Sequence, residues 1–285
     1  MEAPASPPFH ALGHRVVALA GRDAIAFAQA QCMNDVAALG DGQWQWNGWL
    51  TPKGRLIALF ALLRLDAQTL WLLLPDADPA DIAARLQRFV FRSKVAIAVR
   101  DDLHVSGAFA APHGASGAQF MTGPDGGIEL DLGGDGGPRS LRIGAAPAEE
   151  DATTLTRWTA FELAHGLPRL QASEAEQWTP QQLSLERLRA YSVKKGCYPG
   201  QEIVARTHFL GQAKRGLALL QGAFDAQAGA EVMRDGQALG RVVSVASGDG
   251  IRTALAVLPI EREPGPLLLD GVPVVEAPLQ GGLAR

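Results

Sequence analysis

Cys197 lies in the stretch of this chain that is richest in chemically active residue types. Lys194 and Lys195 precede it closely, and cationic side chains beside a thiol lower its pKa and favour the nucleophilic thiolate. We therefore expect Cys197 to act as a reactive or ligating thiol with the lysines near its sulfur. A simpler alternative is a glycine–proline turn that buries an inert cysteine.

The residues around Cys197 predict the local structure that would present it. Gly196 and Gly200 permit backbone angles that are closed to other residues, and Pro199 fixes one further angle. This composition predicts a rigid, exposed loop with Cys197 and Tyr198 at its tip.

Other catalytic and metal chemistries find little support in the sequence. A hydrolytic Cys197 would need a histidine base, and only His208 is near in sequence. An iron–sulfur cluster usually takes about four thiolates, whereas the chain has two cysteines, Cys32 and Cys197, and no Cys-x-x-Cys pair. We therefore predict no metal site in this chain, and we expect any contact with a cluster to be shared or transient.

The segment around Cys197 resembles the K-G-C-Y-x-G-Q-E signature of the YgfZ family, which comprises folate-binding relatives of glycine-cleavage aminomethyltransferases linked to iron–sulfur protein maturation. Every fixed position is matched, and Arg206 and Gly211 follow; the matching residues are Lys195, Gly196, Cys197, Tyr198, Gly200, Gln201 and Glu202. Two weaker similarities lie upstream. Residues 31–36 resemble a Q-x-T-N-D-V segment of the family, and residues 51–54 resemble its T-P-x-G hairpin.

The resemblance implies an aminomethyltransferase-like fold of three lobes around a central cavity that holds tetrahydrofolate or a one-carbon derivative. Trp158, in an Arg-Trp-x-x-x-x-x-x-Gly-x-Pro segment, matches a tryptophan that lines the folate site in such proteins. An indole there can stack on a pterin or benzoyl ring, which contributes about 0.5 to 1.5 kcal/mol beyond burial. Plain core packing on a helix is the alternative for Trp158.

Two positions depart from the family pattern. Family members usually have a glutamate two residues before Gly166, where this chain has Ala164, and the nearest acid, Glu162, lies elsewhere on the helix. Ser184 stands where asparagine is usual. These departures predict weakened or altered folate binding.

The elements that must position these residues follow an α+β pattern. Asp23 is the predicted N-cap of the first helix. Tryptophans at even spacing predict a strand with one aromatic face near residue 46, although Trp49 breaks the alternation. The predicted order is β-α-β-β-β-α-β, with elements at 15–21, 24–30, 44–50, 55–65, 70–74, 78–91 and 95–99.

The second half of the chain changes character near residue 211. Before it, we predict strands at 103–110 and 128–132 within a glycine-rich region that has no P-loop, and a helix at 153–164. After it, six short strands predict a small barrel. The predicted units are a disordered lead (1–11), an N-terminal α+β lobe (12–100), a second α+β lobe (101–210) and a C-terminal β-barrel (211–285).

Bulk properties bound the class of protein. The 285 residues are 47% hydrophobic and 20% charged, as in ordinary globular proteins, with no long apolar run and no secretory signal, so we expect a cytoplasmic location. The net charge of -4 argues against non-specific nucleic-acid binding. Seven basic residues and one acidic residue lie between Arg187 and Arg215, which suits an anionic ligand or acidic partner, or is a solvated face.

These observations lead to the hypothesis of a tetrahydrofolate-binding accessory protein that supports assembly or repair of iron–sulfur enzymes, including tRNA-modifying ones, through the Cys197 loop. The expected partners are folate and iron–sulfur client or assembly proteins, with no direct contact to nucleic acid or membrane. One alternative is a folate-dependent one-carbon transferase, for which the carboxylate pattern is missing, since a turn and an N-cap explain Asp76 and Asp78. The other is a protein-interaction module that has lost folate.

Overall fold

The structure is a computed structural model that describes residues 8–209, 211, 213–248 and 251–285. It contains two five-stranded sheets and a closed six-stranded barrel. The α+β class and the C-terminal barrel that the sequence predicted are thereby confirmed. None of the helices in the described residues is long and apolar enough to cross a membrane.

The N-terminal part of the chain builds the first sheet, in the strand order β3-β4-β5-β2-β6. Its elements, together with the short strand that precedes it, are β1 (His10–Ala11), β2 (Arg15–Ala20), α1 (Ala24–Gln31), β3 (Gln43–Leu50), β4 (Leu56–Asp66), β5 (Thr69–Leu74), α2 (Pro79–Gln87) and β6 (Ala96–Val99).

Both faces of this sheet are buried. Trp44 and Trp46 belong to a central core on one face, whereas Trp49 and Phe60 pack with residues of α1 and α2 on the other. Strands covered on both faces are apolar at nearly every position, which explains why Trp49 departs from the alternation that the sequence analysis expected.

The second sheet has the strand order β1-β7-β10-β9-β8. The elements of the middle of the chain are β7 (His104–Ala108), β8 (Met121–Thr122), β9 (Ile128–Asp131), β10 (Ser140–Gly144), α3 (Ala152–Ala164) and α4 (Gln201–Phe209). The sequence analysis missed β8, β10 and α4. The short strand β10 follows a glycine-rich segment, so only Leu141 and Ile143, both buried, mark its inner face.

The predicted disordered lead is wrong for its last residues. His10 and Ala11 pair with Gly107 and Ser106 of β7, and Leu12 is buried. This pairing occurs because β7 would otherwise expose its edge. Residues 1–7 lie outside the described residues, and the remaining domain limits stay a prediction.

All six predicted strands of the C-terminal part are present, within a closed barrel of order β11-β14-β13-β12-β15-β16. They are β11 (Arg215–Gly222), β12 (Glu231–Arg234), β13 (Gln237–Gly248), β14 (Ile251–Pro259), β15 (Leu267–Leu269) and β16 (Val272–Ala277). Helix α3 joins the barrel to the rest of the molecule, because Leu163 packs against Leu219 and Leu255.

The side chain of the N-cap residue accepts a backbone hydrogen bond at the start of α2 and of α3, but not at the start of α1. Asp78 and Asp151 accept hydrogen bonds from Ala80 and Thr154 at the starts of α2 and α3, as N-caps do. Asp23 does not cap α1. Its carboxylate accepts a hydrogen bond from the Lys94 amide at 2.6 Å instead, which ties the start of α1 to the segment before β6.

Candidate functional site

Lys195 anchors the segment that carries Cys197, here called the motif loop (residues 195–202). Its side chain is buried, and its ammonium donates to three backbone carbonyls around the C-terminal end of α1. The acceptors and distances are Gln29 at 2.5 Å, Cys32 at 2.5 Å and Asn34 at 3.0 Å. Helix C-termini leave carbonyls unpaired and carry partial negative charge, so this is a favourable place for a cation.

The position of Lys195 corrects the prediction that it lies beside the Cys197 sulfur. The carbonyl cage competes better for an ammonium than a solvated thiol does, so Lys195 turns inward. Burial lowers its pKa to about 8, while the negative charge of Asp35 opposes that shift. Lys194 stays exposed.

The two glycines of the motif loop have different roles. Gly200 has a φ of +78°, and a Cβ atom there would lie 2.6 Å from the carbonyl oxygen of Thr51. Facing it, Gly54 has a φ of +69°, and its added Cβ would lie 2.8 Å from Ile203. At Gly196, by contrast, no described heavy atom lies within 4 Å of an added Cβ, and its φ is not in the left-handed region. Only Gly200 therefore needs the backbone freedom predicted for both.

Tyr198 is buried, which corrects the prediction that it lies at the loop tip beside Cys197. Its hydroxyl donates to the Ser192 carbonyl at 3.3 Å, and its ring lies 4.9 Å from the Lys195 ammonium. Gln201 closes the loop by donating to the Lys195 carbonyl at 3.0 Å. Thus the loop is held by its own side chains as well as by its contacts with the first sheet.

Helix α4 begins within the motif loop. Glu202 lies in the first turn of α4, where a negative charge complements the helix dipole. Val204 is buried, and its carbonyl accepts a hydrogen bond from Gln181 at 2.9 Å. Arg206 is exposed on the same helix. The helix was missed because glycine and proline dominate the sequence just before it.

Cys197 is a free, exposed cysteine, whereas Cys32 is buried and free. Burial raises the pKa of Cys32 to about 12, so that thiol stays protonated and inert. The His208 ring packs edge-on against Phe209 at 4.8 Å, and no hydrogen bond in the described part of the chain joins it to Cys197. The chemistry available at this loop is therefore that of a single accessible sulfur on a fixed backbone.

The upstream segments that resembled the family meet at the same place. Asn34, from the segment 31–36, donates to the carbonyls of Trp46 and Arg189 at 2.9 and 2.7 Å, and the Asn47 side chain accepts its amide. The turn at residues 51–54 packs against Gly200. Three stretches that are far apart in sequence thus form one structural unit with the motif loop.

A second site lies in the centre of the molecule. A cavity of about 20 Å³ is bounded by Trp46, several leucines and three polar side chains, those of His14, Glu162 and Arg169. Both ring nitrogens of His14 lack a hydrogen-bond partner among the described residues. Burial lowers the pKa of His14 well below its ordinary value, and the charges of Arg169 and Arg139 lower it further.

Glu162 is the centre of a buried charge network that the sequence analysis missed. Its carboxylate accepts from Arg169 at 3.1 Å and lies 3.6 Å from Arg139, and Arg169 also pairs with Asp76 at 2.8 Å. The i,i+4 spacing from Trp158 could have placed Glu162 on the inner face of its helix. Asp76 lies in the bend between β5 and α2, where the sequence predicted a turn, and it is also an ion-pair partner of Arg169.

Trp158 does not border the cavity and is wholly buried, in line with the core-packing alternative, and its contact with a ligand stays a prediction. Its ring is enclosed by Arg139 at 4.0 Å, by Phe109 at 5.8 Å and by the backbone of Gly107. The indole N–H donates to Glu162 at 2.8 Å. Trp158 therefore holds the Glu162 carboxylate in position through this hydrogen bond. Its ring packs in the core around Gly107 and has no face open to a ligand.

The position of Ser184 has a local explanation. Its φ is +47°, in the left-handed region that asparagine tolerates better than most residues, and its hydroxyl accepts the Leu217 amide at 3.0 Å. The residue expected there by the resemblance would suit the same backbone. Ala164 sits at the end of α3, where its carbonyl accepts from Gln280 at 2.9 Å.

Three of the seven basic residues between Arg187 and Arg215 bond to backbone carbonyls. Lys195 is buried, Arg187 donates to the Gln280 carbonyl at 2.8 Å, and Arg215 donates to the Leu239 carbonyl at 3.0 Å. These cations satisfy backbone acceptors in different parts of the fold. In the described part of the chain, no group of three or more His, Cys, Asp or Glu side chains could hold a metal ion.

A solved structure gives the fold class. The chain superimposes on the crystal structure of glycine cleavage system aminomethyltransferase T from Bartonella henselae with a TM-score of 0.66 at 16% identity, covering 94% of this chain and 83% of that one. The predicted aminomethyltransferase-like fold is thereby confirmed.

Sequence relatives give the family. The chain is 30% identical over 226 residues to the tRNA-modifying protein YgfZ of Cronobacter sakazakii, covering 72% of this chain and 68% of the relative. It is 27% identical over 271 residues to the protein of that name from Vibrio vulnificus strain YJ016, covering 87% and 83%. No family model matches the chain. The chain belongs to the YgfZ family.

Proposed function

We propose that this chain is a cytoplasmic accessory protein that supports the assembly or repair of iron–sulfur enzymes, including tRNA-modifying ones, through Cys197. The observation that carries this proposal is the contrast within the motif loop. Cys197 is exposed, while Lys195 and Tyr198 on either side of it are buried and bonded. A relative's name, tRNA-modifying protein YgfZ, supports the same direction.

One accessible thiol limits what Cys197 can do. An iron–sulfur cluster usually takes about four thiolates, and the second cysteine, Cys32, is buried with a raised pKa. Cys197 can supply one ligand to a cluster that a client holds, or make a transient contact with a client thiol. Both roles need a sulfur presented at a fixed position, and the anchored loop provides one.

The central cavity is the place for tetrahydrofolate in this proposal. Glu162, Arg169 and the unpartnered His14 offer acceptors and donors between apolar walls, which fits a planar heterocycle with N–H and C=O groups. When bound, the folate would supply one-carbon chemistry. The cavity of about 20 Å³ is far smaller than the roughly 300–1,000 Å³ of usual ligand pockets, so binding requires its walls to move apart.

Complementation tests the thiol role. In a bacterial strain that lacks its own YgfZ protein, we expect Cys197→Ala to abolish rescue of an iron–sulfur tRNA-modifying enzyme, measured as the modified nucleoside content of tRNA. Cys32→Ala is the matched control, because it removes the buried thiol, and we expect it to rescue. Full rescue by Cys197→Ala at normal protein levels would show that the thiol is not required.

A further inference from the structure

The segment after α2 exposes aromatic rings between basic side chains; we call residues 88–94 the 88–94 loop. Phe91 is 86% exposed, more than any other large hydrophobic residue in the described part of the chain, and Phe89 is 42% exposed. Exposed basic residues alternate with these rings; they are Arg88, Arg92 and Lys94. Keeping one phenylalanine in water forgoes about 2 kcal/mol of burial, so this exposure calls for a reason.

The loop holds these side chains on a fixed backbone. The Phe89 amide donates to the Leu86 carbonyl at 2.9 Å, and the Lys94 amide donates to the Asp23 carboxylate at 2.6 Å. Val90 packs against the core on the helix side of the first sheet, and Val95 belongs to that core. The exposure of Phe91 therefore does not come from fraying of the chain.

The basic side chains of the 88–94 loop are not in ion pairs among the described residues. Arg88, Arg92 and Lys94 form no salt bridge with any residue that the structure describes, whereas the neighbouring Arg85 pairs with Glu176 at 2.7 Å. Phe89 packs edge-on against Trp49, with ring centroids 6.0 Å apart, so Phe91 is the ring with free faces. Three exposed cations and a free aromatic face thus lie within seven residues, beside the Asp23 carboxylate that accepts the Lys94 amide, on a protein whose net charge is -4.

We propose that the 88–94 loop binds single-stranded RNA, with a base stacked on Phe91 and phosphates contacting Arg88 and Arg92. Proteins bind single strands by combining cationic side chains for the backbone with aromatic rings for the bases. A stable protein interface usually buries about 800 Å² per partner around an apolar core, whereas here one ring, Phe91, stands out of the surface between cations. We expected no contact with nucleic acid because the net charge of the whole chain is negative. That sum does not describe the local positive charge of the 88–94 loop.

The surface is independent of the Cys197 thiol and of the central cavity, so the two proposals can fail separately. The test measures fluorescence anisotropy of a labelled oligouridine and of an unmodified tRNA transcript with the full-length protein at several salt concentrations. We expect saturable binding that Phe91→Ala weakens about tenfold, since stacking contributes about 1–3 kcal/mol per base. Phe91→Trp should restore the affinity.

The charge contribution is tested by the double substitution of Arg88 and Arg92 with glutamine. We expect it to weaken binding and to reduce the salt dependence by about 0.7 in slope for each phosphate that is no longer neutralised. Control variants remove another exposed ring, Phe209→Ala (66% exposed), or an equal number of charges elsewhere, Arg157→Gln with Lys214→Gln. Cys197→Ala should leave RNA binding unchanged.

Three outcomes would overturn the proposal. One is the absence of saturable binding up to about 100 μM, the weak end of non-specific association. A second is equal affinity of the wild-type protein and Phe91→Ala. The third combines two observations: a strain carrying Phe91→Ala loses tRNA modification, and the purified variant binds RNA as tightly as the wild type. This result would make the surface a protein-docking site.

Discussion

At the scale of the residue, Lys195 shows that a buried cation in this protein binds backbone carbonyls that would otherwise be unpaired. Lys195 was expected to tune a thiol two positions away, yet its ammonium lies among three carbonyls near the end of α1. The motif lysine therefore contributes to the position of Cys197 through the backbone, and its titration is a property of the fold.

The first residue-scale prediction concerns the pH dependence of stability from Lys195. Its pKa is lowered from 10.5 to about 8. Between these values the unfolded chain holds a proton that the folded chain has lost, so the free energy of unfolding rises with pH, by roughly 1 to 2 kcal/mol after allowance for solvent screening. Denaturant unfolding of the wild type and Lys195→Met from pH 7.5 to about 10.5 checks this. An identical pH dependence in both proteins would contradict it.

The second residue-scale prediction concerns His14. Because its folded-state pKa lies well below 6.5, the unfolded chain takes up a proton below pH 6.5 while the folded chain does not. His14 should therefore lower the stability by about 1.4 kcal/mol per pH unit as the pH falls below that value. His14→Gln should lack this component in denaturant titrations, whereas the exposed His104→Gln should keep it. Equal acid slopes for both variants would refute the idea.

At the scale of the element, the motif loop is one side of an interface with the β3–β4 turn. Two glycines face each other there, Gly54 in the turn and Gly200 in the loop. The contact is so close that neither position has room for a Cβ atom. The start of α4 depends on this close approach, because the Gly200 carbonyl accepts from the Ile203 and Val204 amides.

The element-scale prediction compares the two motif glycines. Gly200→Ala adds a methyl group 2.6 Å from the Thr51 oxygen at a φ of +78°, so we expect a loss of about 2 kcal/mol or more in stability. Gly196→Ala meets no described atom within 4 Å and should change stability by less than about 0.5 kcal/mol. Chemical denaturation of both variants is the measurement. A larger loss for Gly196→Ala would reverse the assignment of the contact.

At the scale of the whole molecule, residues of the two five-stranded sheets, of α3 and of the segment after it enclose a charged centre that is nearly closed. Glu162 is buried with Arg139 and Arg169, so each ion depends on the others for its stability. A ligand that enters must separate the walls and replace these contacts.

The whole-molecule prediction is therefore kinetic. Anaerobic calorimetry with tetrahydrofolate should show one saturable site, and the observed association rate in stopped-flow fluorescence should reach a plateau at high ligand, because opening limits entry. Glu162→Gln should weaken binding about tenfold, through the lost charge-assisted hydrogen bonds. The exposed Glu150→Gln is the control.

Two results would count against this role of the cavity. A lack of binding at millimolar ligand would leave the interaction module without folate as the better account of the chain. An association rate that rises linearly with ligand would show that no opening step precedes binding.

Features that depend only on neighbouring residues could be predicted from the chain alone. Alternating apolar residues between turns located the six barrel strands, and the match at Lys195–Glu202 indicated the family. Asp78 was identifiable as an N-cap because capping needs only the adjacent amides. These are short-range patterns, which a linear chain displays directly.

Which side chains meet depends on the packing of elements that are far apart in the sequence. The Lys195 contact to Cys32 joins residues 163 positions apart, and the Arg169 contact to Asp76 joins residues 93 apart. The packing of α3 likewise places Glu162 at the cavity and Trp158 away from it, although both residues lie on that helix. Hydrogen bonding and burial at such distances depend on how the sheets pack, and this packing is not written in any local pattern of residues.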